Sequence, residues 1–491
     1  MPKNITAKIT SRPKRIDLMI LGIILLLGLT LRLYKIDSPI ADWHSWRQAD
    51  TAAVARNFVK NDFNLLSPRY DDLSNIQTTN FNPQGYRLVE FPLYNGMFAF
   101  AYKYLPIMSL EIYGRLTTII FSLIVIAAIY FLVLGEEGRL AAGIASGVFA
   151  VFPFFVYYSR VILPEMTALG FMMLAILSLY LWKNASTKIR SGMLFLLSAT
   201  FCSLALLIKP TVIFYGLPLL YIFFQKFKLS MVKKLPIYIY FAIAIIPFVL
   251  WRQWISHYPE GIPTYEWLLT SVNTFEGTKV IFFRPAFFRW IFHERILNMI
   301  LGGYAATLLI LGVLKRPNRS YLLPMFGLAA LIYLFTFQGG NVQHDYYQTM
   351  ILPPLAIFVG LGSAFILQQK KLFHNVYLST IAVVVILGFS AAMSFYQVKG
   401  FYHVSDDLVS IAKVIRTITP PDAHIVTDRD GDTTLLYLAD RKGYPAVTED
   451  LAGLKTKGMQ YLVTAKADVA DKVKLEYEMI FANDQVFIFK L

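Results

Sequence analysis

The sequence predicts a mainly α-helical, polytopic membrane protein. It reads as a bundle of about 11 spanning helices with amphipathic helices in the first outside loop and a small C-terminal α/β unit. Three observations carry this expectation. Charged residues make up 16% of the 491 positions and hydrophobic ones 56%, whereas a soluble chain carries about a quarter charged residues; mean hydropathy is +0.52. Apolar runs long enough to cross a bilayer as helices recur along the chain. Lys and Arg gather in alternate connections between those runs, which is the pattern that sets membrane orientation.

The first run, about 16–34, follows the basic segment MPKNITAKITSRPKR. It has full spanning length and no small-residue cleavage site, so it is expected to stay in the protein as a span. Ten more runs lie at about 109–134, 140–158, 163–182, 190–208, 211–225, 235–252, 296–314, 320–337, 350–367 and 375–395. One set of connections carries Arg139; Lys183, Lys188 and Arg190; Lys226, Lys228, Lys233 and Lys234; Lys315, Arg316 and Arg319; Lys370 and Lys371. The N-terminal tail adds Lys3, Lys8, Arg12, Lys14 and Arg15. Opposite connections carry Arg160, Lys209 and, around GGNVQHDYY, no Lys or Arg. The expectation is a cytoplasmic N-terminus and, after an odd number of spans, an exterior C-terminal tail, in the cytoplasmic (inner or plasma) membrane.

Two units follow, a membrane part at 1–402 and an extracytoplasmic α/β domain at 403–491. The tail holds 11 Lys and Arg against 14 Asp and Glu, so the net +15 of the chain resides in the membrane part. That excess reads as topology and gives no nucleic-acid footprint. In the tail DDLVSIAKVIRTI has helical spacing and AHIVTD, MQYLVTA and YEMIFANDQVFIFKL read as strands, the last pair turning at Asn483-Asp484. DTTLLYLADRKG reads as a helix with Asp432 as N-cap and Gly443 as its end. TDRDGDTT lacks the downstream Glu of a calcium-binding EF-hand and reads as a strand-to-helix turn. Cys202, the one cysteine, lies in an apolar run, which excludes a disulfide framework and a cysteine-based zinc site.

The densest chemistry lies just after the first span, in DWHSWRQADTAAVARNF (42–58). One reading is an amphipathic helix on the membrane surface, with Ala52, Ala55 and Phe58 along one side, tryptophans at headgroup level and solvated charges. The other reading is functional. This motif, EFPLYNGM later in the same loop, SRVILPEMTALGF at the fourth span and QHDYYQTMILPPLAI before the tenth stand in order on one expected face. Together they resemble the GT-C superfamily of integral membrane glycosyltransferases, in particular bacterial proteins related to the protein O-mannosyltransferase (family 39) and aminoarabinose transferase families. Relatives often carry an Asp-Glu pair in the first loop, where this chain has Asp42 and Asp50.

The resemblance implies a polyprenyl-phosphate-sugar donor and a hydroxyl acceptor on a glycan, lipid or protein. Such a transfer needs a carboxylate to take the acceptor proton and cations to hold the departing phosphate. Asp42 is the first candidate base and Asp50 the second, the latter with a solvated or capping role as its competitor. Glu165 is the second acidic candidate, for acceptor or metal, against a helix N-terminal charge. Arg47, Arg160, Lys209 and His344 are candidate phosphate contacts, set against headgroup snorkelling for Arg160 and Lys209. His44, Asp345, Tyr346 and Tyr347 join the substrate-binding set. Arg284, with Arg289, His293 and Arg295 at near-helical spacing, is a further donor contact or part of an interfacial helix. His44, His257, His293 and His344 have acidic neighbours, but no spacing fixes a metal site, so the cofactor is unknown and a divalent metal is not required. A ligase of whole lipid-linked glycans, a transporter and a non-catalytic assembly protein are the alternatives. The transporter reading is disfavoured by nearly charge-free spans and the lack of an internal repeat.

Overall fold

The computed structural model describes residues 13–263, 281, 283–369 and 375–491. Lys3, Lys8, Arg12, Lys370 and Lys371 of the charge alternation lie outside these residues. All eleven expected spans fall on helical segments, but not all are single long helices. Seven helices among the described residues are long and apolar enough to cross a membrane, or eight if one bent pair counts as a span.

The other three have local causes. Helix α1 (Arg15–Arg32) carries Arg15, Asp17 and Arg32. The run at 140–158 is broken: Phe152 precedes Pro153 and adopts an extended backbone (ψ 132°), since proline disfavours helical geometry in the residue before it. The run at 320–337 forms a 15-residue helix, Leu322–Thr336. In the bent pair, Pro285–Ile300 and Ala305–Leu314 meet at 116°. The hinge is Gly302 (φ 59°), where a Cβ would run into the backbone of Ser390, so only glycine suits both the turn and the close approach.

The two ends of the bundle differ. At one end, Arg139 binds Asp17 (2.6 Å), Lys315 binds Glu137 (2.5 Å), Ser320 donates to Glu136 (2.5 Å) and Lys183 donates to Gln225 (2.7 Å). The described basic connections at Arg139, Lys183 and Lys315 therefore share one end. The first loop, the 158–165 and 209–210 connections and residues 338–347 share the other.

Helix α2 (Ser45–Lys60) is not a surface helix. Ala52, Ala55 and Phe58 are buried as expected, but so are Arg47, Gln48, Asp50, Thr51, Ala53, Val54 and Asn57. It packs on α3 (Leu93–Tyr104) and, on another side, on the tail helix Thr434–Ala439. Many of its side chains are small, which lets neighbours close over it from several directions.

The tail forms the helix Asp406–Ile418, capped by Ser405, and a five-stranded sheet of order β2-β1-β3-β5-β4. Its strands are β1 (His424–Thr427), β2 (Lys442–Tyr444), β3 (Tyr461–Thr464), β4 (Glu478–Ala482) and β5 (Phe487–Lys490). β1 runs parallel to β2 and β3, whereas β5 is antiparallel to β3 and β4; β4 and β5 are joined through Asn483-Asp484. The sequence reading needs two corrections here. The helix begins after Thr433, with Asp432 Oδ1 accepting from Thr434 N (2.7 Å), and it ends at Asp440 in the left-handed region. Gly443 does not end a helix; it lies in β2, where a Cβ would meet the Ile425 backbone. The free edge of β2 is covered by the first loop, through Leu73 N to Gly443 O and Gly443 N to Asp71 O, both 2.9 Å. Covering an edge this way removes a template for unwanted strand pairing.

Candidate active site

The chain leaves α1 and turns at His44, which holds a left-handed backbone (φ 54°). That conformation costs a non-glycine residue about 1 kcal/mol or more unless its surroundings hold it. Here they do. His44 Nε2 lies 2.5 Å from Asp345 Oδ1, which also accepts from the Tyr158 hydroxyl (2.5 Å). Asp345 Oδ2 accepts from Trp43 Nε1 (2.9 Å) and pairs with Arg295 Nη1 (3.2 Å). A carboxylate 1% exposed is thus satisfied by four donors from distant segments. The ring of His344 stacks on Tyr346 (5.3 Å) and lies 5.9 Å from that of His44. Burial pushes the His344 imidazole down to about 4, with the neighbouring His44 ring adding to the effect.

The turn aims the first helical residues at a second cluster. Arg47 Nη2 contacts both oxygens of Glu90 (3.0 and 3.3 Å). Lys209 Nζ bridges Glu90 Oε1 (2.7 Å) and Glu165 Oε1 (2.9 Å). Lys209 immediately follows the helix Lys188–Ile208, and Glu165 opens the helix Glu165–Lys183 after Pro164. Burial would raise the Glu90 carboxyl, but the charges of Lys209 and Arg47 override it and hold it down at about 2. Asp50, one helical turn beyond Arg47, accepts from Thr433 Oγ1 (2.7 Å) and pairs through Oδ2 with Arg87 Nη2 (3.1 Å). It is 1% exposed, so the solvated role weighed for it does not hold. Arg47, Asp50, Arg87, Glu90 and Asn95 line a pocket of about 390 Å³ including its open mouth.

Asp42 stands apart from this pocket. It is 6% exposed, and its Oδ1 accepts from Gln48 Nε2 (2.7 Å), whose Oε1 accepts from Ile162 N (3.2 Å). Burial raises its carboxyl above the ordinary range, against the pull of Arg115 and Arg160. Arg160 is fully buried and donates to Lys35 O (2.8 Å), so it neither snorkels to the headgroups nor joins Arg47 and Lys209. Arg284 is exposed at the start of the helix Pro285–Phe288, and Arg289 and His293 are exposed as well. Of that basic stretch, only Arg295 is buried and reaches the site. Tyr346 and Tyr347 are buried, with Lys209 Nζ 6.0 Å from the Tyr347 ring centre. Among the described residues no three His, Cys, Asp or Glu side chains converge as a metal site would require.

Sequence reasoning passed over Glu90, Arg87, Arg115 and Gln48. Glu90 had a signal, an acidic residue directly before the aromatic-Pro-Leu step into α3. Arg87 had none, because its partner Asp50 lies 37 residues earlier in the chain.

The family described as dolichyl-phosphate-mannose-protein mannosyltransferase matches residues 104–254. No curated protein matches the chain. ArnT from Cupriavidus metallidurans bound to undecaprenyl phosphate is similar with a TM-score of 0.64 at 13% identity, over 96% of this chain and 97% of that one. Two structures of the Archaeoglobus fulgidus oligosaccharyltransferase are also similar. The one in complex with Zn and sulfate has a TM-score of 0.57 at 13% identity, over 91% of this chain and 68% of that one. AglB with an inhibitory peptide and a dolichol-phosphate has a TM-score of 0.58 at 10% identity, over 92% and 69%. The chain therefore shares the fold of ArnT and of the oligosaccharyltransferase. That fold extends over 96% of the chain, beyond the 151 residues from 104 to 254 that the sequence family covers.

Proposed function

We infer that this GT-C protein moves a sugar from a polyprenyl-phosphate carrier to a hydroxyl on a glycan, lipid or protein, with inversion. The reaction takes place at the outer face of the cytoplasmic membrane, with the N-terminus inside. The observation that carries this reading is the pocket lined by Arg47, Asp50 and Glu90, with Lys209 bound to Glu90 and Glu165 beside it. The acceptor oxygen forms a bond to the anomeric carbon, and the bond from that carbon to the phosphate oxygen breaks with its electron pair leaving on the phosphate. The hydroxyl proton passes to a carboxylate. One displacement with no covalent intermediate inverts the centre. Arg47 and Lys209 contact the phosphate more strongly as its charge develops, so their contribution is to the transition state. Solved relatives of this fold bind undecaprenyl phosphate and dolichol-phosphate. An apolar cavity of about 890 Å³ including its mouth, lined by Leu206, Ile213 and Phe214 on either side of Lys209 in the chain, suits a carrier tail.

We assign the base to Asp50, because it lines the pocket with Arg47 whereas Asp42 does not and feels the charges of Arg115 and Arg160 instead. Asp50→Asn and Asp42→Asn, assayed side by side, test this. The donor is the lipid-linked sugar that accumulates in a strain lacking the protein, identified by mass spectrometry. Asp50→Asn is expected to lower transfer by about 10²–10⁴-fold, the usual range of general-base catalysis, while both variants keep the thermal stabilisation given by undecaprenyl phosphate. Loss confined to the Asp42 variant moves the base there, and loss in neither removes the transferase reading of this motif.

A further inference from the structure

The carboxylate of Asp50 is gripped from the other end of the chain. Thr433 is 3% exposed and opens the tail helix Thr434–Ala439. Its hydroxyl lies 2.7 Å from Asp50 Oδ1 and 3.3 Å from Trp46 O. A hydroxyl has one proton to give, and the shorter, charge-assisted bond takes it. Asp50 Oδ2 is buried and lies 3.1 Å from Arg87 Nη2 without a hydrogen bond of good geometry, so it is the oxygen left with accepting capacity when an acceptor hydroxyl enters beside it.

The contact is part of a larger clasp along α2. Thr434 Oγ1 bonds Ser45 Oγ (2.9 Å), Arg56 Nη1 donates to Tyr437 O (2.7 Å) and its guanidinium lies 4.2 Å from the Tyr437 ring centre. Lys60 binds Asp440 (2.6 Å), and the Tyr437 hydroxyl donates to Glu111 (2.6 Å). Together with the β2 edge pairing to residues 71–73, these contacts fix the tail from the first turn of α2 to its last. The placement of Thr433 over Asp50 is therefore set by many independent bonds.

We propose that Thr433 is a positioning residue for transfer. It occupies Oδ1 and locks the plane of the Asp50 carboxylate, leaving Oδ2 as the oxygen that takes the acceptor proton, and the C-terminal unit thereby completes the catalytic centre. The proposal rests on the reading of Asp50 as base. A free carboxylate rotates about its terminal bond among many orientations, and a misaligned base loses rate while leaving donor binding intact.

The test uses the full-length protein in detergent micelles with three variants, Thr433→Val, Thr433→Ser and Asp50→Asn. Release of free polyprenyl phosphate is followed with the accumulated lipid-linked sugar as donor, and undecaprenyl phosphate serves as the binding probe in thermal unfolding. Val keeps the shape of Thr and removes the hydroxyl, so kcat is expected to fall about 10- to 100-fold, the size of one hydrogen bond to a charged group. KM and the shift given by undecaprenyl phosphate are expected to stay near native, and Ser to restore most of kcat. Full activity in Thr433→Val beside an inactive Asp50→Asn overturns the proposal and leaves the base in place. A Val defect that Ser does not rescue, or that appears in KM or in the lipid-induced shift, also overturns it, because that is a structural loss. An active Asp50→Asn removes the base reading and the proposal with it.

Discussion

Glu90 illustrates how one residue sets the electrostatics of the pocket. It is 14% exposed and touches two cations that come from distant parts of the chain. Breaking a buried pair by removing one partner typically costs about 3–5 kcal/mol, and the water that reaches this carboxylate reduces that figure. Glu90→Gln keeps the volume and loses the charge, so the variant is expected to unfold at lower temperature and to bind undecaprenyl phosphate with altered affinity. The pH dependence has a definite sign. A carboxyl held at about 2, below its unfolded value near 4.3, contributes stability that is complete above that unfolded value and is lost as pH falls toward 2. Thermal unfolding of both proteins in detergent should therefore show the full gap at pH 7 and a shrinking one below about pH 4. A gap independent of pH would mean that the carboxylate charge is not the source.

Among elements, the first-loop segment 70–74 matters most, because it docks the sheet onto the membrane part. Asp72 there accepts from Ser74 N (2.8 Å) and from the Tyr70 hydroxyl (3.3 Å). Burial, with the nearby charge of Asp50 adding to it, pushes its carboxyl up to about 6 despite the bonds from Ser74. The sign is opposite to that of Glu90. A carboxyl raised above its unfolded value stabilises the fold fully below about pH 4 and loses that contribution as pH rises through 6. Asp72→Asn is therefore expected to gain thermal stability relative to the native protein between pH 4 and 7 and to show no gain below pH 4. A loss at pH 7 would mean that the ionised form is held by partners beyond these. Gly443→Ala tests the same junction by shape: its Cβ would meet the Ile425 backbone, so it should weaken both the β1–β2 pairing and the loop edge. Protease cleavage near 427–445 would report that loosening.

Across the whole molecule, the acids and cations of the pocket gather at one end and the basic connections at the other. Orientation can be read by labelling, but not at the site itself, where Asp42, Arg160 and Lys209 are buried. Exposed positions serve instead: Asp62 and Lys466 at the pocket end, Lys188 and Lys228 at the other. Single cysteines there, in a Cys202-free background, should react with a membrane-impermeant reagent in intact cells only at Asp62 and Lys466. Labelling at Lys188 or Lys228 alone would invert the protein and put the pocket in the cytoplasm. The tail at 403–491, expected from sequence as a separate domain, lies against α2 along that helix's length, so we treat it as a working part of the pocket end. Truncation before residue 403 should abolish activity even where the membrane part still inserts.

What the sequence determined by itself follows from local and additive physics. Hydrophobic length and the bias of Lys and Arg specified a polytopic helix bundle with its chemistry on one rim. Alternating apolar residues and the Asn483-Asp484 turn specified the final hairpin, and the order of four motifs pointed to the GT-C fold. Arg47, Lys209, Glu165 and the residues 344–347 were legible as site candidates because charged or aromatic groups beside long apolar runs stand out. Tertiary structure decided what depends on separation along the chain. It decided against the surface-helix reading of α2 by covering that helix with α3 and a tail helix nearly 400 residues away. It placed Asp50, not Asp42, in the pocket with Arg47, and brought in Glu90 and Arg87. The physical reason is that a buried charge needs partners, and those partners are supplied by segments whose meeting no local pattern encodes.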